Sequence, residues 1–154
     1  MVIFMPLPPD EEIEAFENLV LKNSYRFTKR ALIRDALQGP SPFNPSGKKT
    51  LALAGDASLR QMLVDQGRDR EKSPEEIQNV ITKVASNNNL NDRGIALGLD
   101  RFIVKNPGQQ GFMAGKNVMS TTMEAILGAV HYDSDKNGAD CENVMAALGL
   151  SWSE

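Results

Sequence analysis

The sequence predicts an all-α protein, and three observations carry that reading. Aromatic residues make up only 6% of the chain, while Leu, Ala, Ile, Val and seven Met supply most of its apolar mass, a mix that favours helix over sheet. Apolar residues recur at helical spacing in several stretches. Helix-start and helix-stop residues flank those stretches. With 154 residues and 41% apolar content the chain can bury a core without disulfides or a structural metal, so one domain over 1–154 is expected, its first nine residues forming a tail.

The elements follow in order. Pro8, Pro9 and Asp10 precede Ile13, Phe16, Leu19 and Val20, a proline-and-acid start to a helix expected over about Asp10 to Lys22. Tyr25, Phe27, Leu32, Ile33, Ala36 and Leu37 mark a second, with Thr28 as N-cap and Gly39-Pro40 as stop. Pro40 to Lys49 holds three prolines, two serines and a glycine and reads as a loop. A third helix is expected from Thr50 to about Gln66, followed by a charged turn from Gly67 to Ser73. Ser73-Pro74-Glu75-Glu76 then supplies an N-cap, a first-position proline and first-turn acids for a fourth. Asn87 to Asn89 reads as a polar break before a short helix from Leu90 to Leu97, ended by Gly98. Val104 to Gly115 reads as a mobile loop, Lys116 to about Tyr132 as the longest apolar helix, and Asp140 to Leu148 as the closing one.

Two of these stretches each set one carboxylate among apolar neighbours: Asp56 within Leu51 to Ala57, and Glu124 within Thr121 to Val130. A buried charge is costly unless a cation or hydrogen bonds compensate it, so both are candidate ligands of one divalent metal. The plainer alternatives are a solvated acid at a helix end and a surface glutamate on a polar edge. Two small residues just before Asp56, Ala54 and Gly55, would let another helix or a ligand come close.

The formal net charge of −3 argues against coating nucleic acid by bulk electrostatics but leaves room for a local basic patch. One cysteine, Cys141, and no leader-like start point to a reducing, intracellular compartment. No stretch approaches the roughly 20 apolar residues of a membrane span. The single histidine, His131, removes two-imidazole zinc and relay sites. Asp133 to Gly138 copies half of a calcium loop, but its twelfth position is Val144, not glutamate. Met113, Met119, Met123 and Met145 read as core filler.

Taken in order, Tyr25-x-Phe27 with Ala36-Leu37, Leu51 to Ala57, Asn87 to Leu90 with Ala96 to Leu99, and Met123 to Val130 with Asp133 resemble the ribonuclease III catalytic domain across most of the chain. That family is all-helical and homodimeric and cuts double-stranded RNA with divalent metal. The resemblance places its signature aspartate on Asp56 and its late glutamate on Glu124. Its two other carboxylate positions hold Ala52 and Thr121, so half of the acidic set is kept; some fungal-type single-domain members also carry alanine at the first. Residues 52 and 56 lie one turn apart on one helix face, as do 121 and 124.

The resemblance implies Mg²⁺ or Mn²⁺ held by Asp56 and Glu124 with the Thr121 hydroxyl nearby, and phosphate contacts from Lys48, Lys49, Lys116 and Lys83. It implies a homodimer seam around Leu51, Leu53 and Leu59, although packing inside the monomer accounts for these leucines equally well. No double-stranded-RNA-binding domain is expected before Glu154, so RNA would be held in the dimer cleft by shape, sugar and phosphate contacts. The alternative is a catalytically degenerate module that keeps the fold and binds RNA or a ribosome, and Ala52 and Thr121 support it.

Overall fold

Two glycines let two helices meet main chain to main chain. In the structure, a computed structural model that describes residues 8–39, 48–105, 108 and 111–153, the helices α3 (Lys49–Asp69) and α6 (Lys116–Asp133) cross with their backbones touching. A Cβ on Gly55 would lie 1.7 Å from the Glu124 carbonyl oxygen, and one on Gly128 would lie 1.9 Å from that of Leu51. Only hydrogen fits at either point, so each glycine is the socket for the other helix's main chain.

α6 is the central element. Its residues from Ala125 to Val130 are all buried, as are Met119, Ser120, Thr122 and Met123, the pattern of a helix surrounded on most sides. Around it pack α3, α2 (Arg30–Leu37), α5 (Asn87–Ala96) and α7 (Gly138–Ala147). α1 (Asp10–Leu19) leans on α2, and α4 (Pro74–Val84) bridges α3 and α5. A 3-10 turn, Leu99–Phe102, follows α5, and the Phe102 ring meets Phe16 edge-on at 5.7 Å. No strand forms among the described residues; the one extended pairing is a parallel bridge between Gln38 and Val104. Nor is any described helix long and apolar enough to cross a membrane.

The all-helical expectation holds, with local corrections. α1 stops at Leu19, short of Lys22, because Lys22 and Asn23 take left-handed backbone angles that turn the chain. α2 begins at Arg30, two residues beyond Thr28, and the chain entering it is held from elsewhere: Asp133 accepts from the Thr28 and Lys29 N–H groups at 2.9 and 2.6 Å and from the Tyr25 hydroxyl at 2.7 Å. α3 runs past Gln66 to Asp69, since Gly67 is packed under Ile77 and Trp152 instead of opening a turn. Asn87 to Asn89 is no break. Ser86 accepts from the Asn89 N–H at 3.1 Å, which makes the three asparagines the first turn of α5.

The Ser73 capping box forms as expected, with reciprocal bonds to Glu76 of 3.1 and 3.2 Å. In the loop once matched to half a calcium site, Asp133 is committed to α2 and Asn137 caps α7. Met119, Met123 and Met145 are core residues, but Met113 is exposed. Of the loop expected from Val104 to Gly115, part lies outside the described residues, as do the tail through Leu7 and most of the Pro40 to Lys49 segment.

Overpacking a backbone contact forces the helices apart. Gly55→Ala or Gly128→Ala should lower stability in urea titration by about 3 kcal/mol or more. Gly138→Ala is the control, because its Cβ would meet only the flexible end of Met62 at 3.9 Å and should leave the urea midpoint near that of the parent chain.

Candidate active site

The glycine crossing fixes what lies beside it. Asp56 follows Gly55 on α3, and Glu124 carries the carbonyl against which Gly55 packs, so the two side chains leave the crossing on the same side. They share a cleft of about 310 Å³ lined by Lys49, Ala52, Leu53, Asp56, Thr121 and Glu124. Positions 52, 56, 121 and 124 therefore converge on one spot, as one-turn spacing on two facing helices requires. Two of them are carboxylates, one is a hydroxyl and one a methyl.

The Glu124 carboxyl is pushed up to about 7, first by burial and then by the charge of Asp56 and a hydrogen bond to it, with Arg60 opposing. The protonated form of Glu124 can donate to Asp56, and with burial this keeps its proton bound above the ordinary carboxylate range. Arg60, one turn beyond Asp56, sends its Nε to both Asp56 oxygens at 3.1 Å. The sequence reading passed over Arg60, although its position four residues after Asp56 on the same helix face was signal enough.

The donor set suits a hard divalent ion. Carboxylate and hydroxyl oxygens are what Mg²⁺ and Mn²⁺ prefer, and Mg²⁺ commonly keeps several waters and takes only one or two carboxylates. Among the described residues no group of three or more His, Cys, Asp or Glu side chains comes together, so an ion here would rest on two carboxylates and water.

The basic and apolar candidates divide. Lys49 is exposed on the cleft wall. Lys116, at the start of α6, and Lys83, on α4, are exposed but do not line the cleft. Lys48 is a correction: it is buried at 4% exposure, its ammonium donating to the Thr122 hydroxyl, and from there it reaches no phosphate. Thr122 in turn donates to the Val118 carbonyl at 2.6 Å, which leaves its lone pairs for the amine. Burial pushes the Lys48 amine down to about 7. The leucine seam also divides. Leu51 and Leu59 are spent inside the monomer's core, whereas Leu53 stands 73% exposed at the mouth of the cleft.

No protein-family model and no curated protein matches the sequence. Solved structures do. The chain is similar to the nuclease domain of ribonuclease III from Campylobacter jejuni, with a TM-score of 0.72 and 20% identity over 92% of this chain and 95% of that one. A second structure of that domain, concerned with flexibility in a region involved in dimer formation, matches with a TM-score of 0.72 and 18% identity over 86% and 95%. This chain has the ribonuclease III nuclease-domain fold.

Two titrations follow. Glu124 binds its proton more tightly when folded than the ordinary value of 4.5 allows, so its ionisation costs stability as pH rises toward 7 and beyond. In metal-free protein Glu124→Gln should raise stability at pH 8 by about 1 kcal/mol, after discount for partial exposure, and by nothing at pH 4. Lys48 has the opposite sense. Its charged form is disfavoured in the fold, so stability should climb as pH rises from about 7 toward 10.5. Lys48→Met should therefore stabilise the protein by about 2 kcal/mol at pH 6, with the gain shrinking above pH 8, read by thermal melts across that range.

Proposed function

We propose that the chain is a divalent-metal-dependent endoribonuclease of the ribonuclease III type, acting on double-stranded or structured RNA. One observation carries the reading: Asp56 and Glu124, 68 positions apart in the sequence, line one cleft with Ala52 and Thr121, on a fold similar to a ribonuclease III nuclease domain. Asp56 and Glu124 would hold Mg²⁺ or Mn²⁺, and Thr121 would hydrogen-bond a water in the same shell. When bound, such an ion lowers the pKa of a water and adds positive charge beside the scissile phosphate. Lys49, on the cleft wall, would steady a phosphate oxygen, with Lys116 and Lys83 as more distant contacts along the duplex. Recognition would follow the shape and sugar-phosphate surface of the RNA, not base edges.

The working form would be a homodimer, since a duplex presents two strands and a twofold pair of clefts would face both. Leu53 is the contact the geometry leaves for it, an exposed leucine beside the cleft. The related Campylobacter domain has a region involved in dimer formation, in keeping with that assembly. Ala52 and Thr121 favour a second reading, a module of this fold that binds RNA without cutting it. Two carboxylates fewer means less charge to hold the ion, and each lost contact can slow a metal-assisted step by orders of magnitude.

Labelled duplex RNA in Mn²⁺ separates the readings. The nuclease reading expects cleavage that falls about 100-fold or more in Asp56→Asn and in Glu124→Gln and rises in Thr121→Asp. Duplex binding without cleavage in the parent chain would favour the module. Cleavage that survives both substitutions would place the chemistry elsewhere.

A further inference from the structure

Arg60 gives the cleft a cation of its own. Its Nε faces both oxygens of Asp56 at equal 3.1 Å distances, so the guanidinium already provides the positive charge that an ion would bring to this carboxylate. The pair is half-open to water, with side-chain exposures of 49% for Arg60 and 32% for Asp56. A pair of that kind, four residues apart on one helix, is weak enough to be displaced. Once Glu124 ionises, the cleft sets two acids, Asp56 and Glu124, against two bases, Lys49 and Arg60. Replacing two acids by Ala52 and Thr121 leaves a site that its own basic side chains can neutralise.

We infer that Arg60 is a gatekeeping residue that competes with a divalent cation for Asp56 and must swing out before the ion can be held. This rests on the reading of Asp56 and Glu124 as metal ligands. A guanidinium and a dication cannot share one carboxylate face without strong like-charge repulsion at a separation of a few ångströms. The cost of metal loading therefore includes breaking the Arg60–Asp56 pair. The long arginine stem leaves room to do so by rotation about its own bonds, with no change in α3.

Manganese binding to the intact chain tests this without any RNA. The free Mn²⁺ signal is followed by electron paramagnetic resonance at pH 8 in the parent protein, Arg60→Gln, Arg60→Lys and Asp56→Asn. Arg60→Gln should bind Mn²⁺ about two- to fivefold more tightly than the parent, the size set by an exposed helical ion pair. Arg60→Lys, which keeps the charge, should stay close to the parent, and Asp56→Asn should lose the site. Unchanged or weaker binding in Arg60→Gln, with Asp56→Asn still abolishing it, overturns the role of Arg60 and leaves the metal site standing. No binding to the parent or to Arg60→Gln in the millimolar range, or binding that survives Asp56→Asn, overturns both.

Discussion

The backbone contact between α3 and α6 is the constraint from which the site follows. Gly55 and Gly128 let two long helices meet with main chain against main chain, and at that distance the side chains flanking the glycines have nowhere to go but the edges of the crossing. Asp56 leaves on one edge together with Glu124, where water still reaches. At the crossing itself the Gly55 and Gly128 faces meet the Glu124 and Leu51 main chain, so no side chain separates the helices there. A bulkier residue at either glycine would widen the gap, and the two carboxyls would separate with it.

The same contact accounts for the electrostatics. Because Glu124 is half-buried and faces another acid, its ionisation is held back, and Arg60, paired with Asp56, softens the charge of the two acids. The fold thus holds two acids together at a cost in stability, a cost that the proposed metal ion would relieve. Lys48 is a separate case. Its amine lies inside and donates to the Thr122 hydroxyl, and it contributes to the interior instead of the surface charge.

Much of the architecture was legible because it is written locally. Ser73 with Glu76, Gly98 after α5 and the apolar run of α6 each specify an element through neighbours a few residues away. The convergence of positions 52, 56, 121 and 124 was legible too, since one-turn spacing on two helices leaves little choice once they pack face to face. What the chain does not write locally was misread. Lys48 looks like a loop lysine until the fold closes over it, and Leu51 and Leu59 look like Leu53 until folding buries two of the three. Asp133 seemed part of a turn, yet its carboxylate ties α6 to residues more than 100 positions earlier. Burial is a property of the assembled helices, and no window of sequence contains it.

The central claim is that two acids brought together by a glycine crossing hold a single divalent ion. Anomalous diffraction at the manganese edge, on crystals of the parent chain grown with Mn²⁺, tests it directly. The account predicts one strong peak within about 2.2 Å of an oxygen of Asp56 and of an oxygen of Glu124, with waters completing the shell. A peak bound to only one of the two, or found away from the α3–α6 crossing, would contradict it.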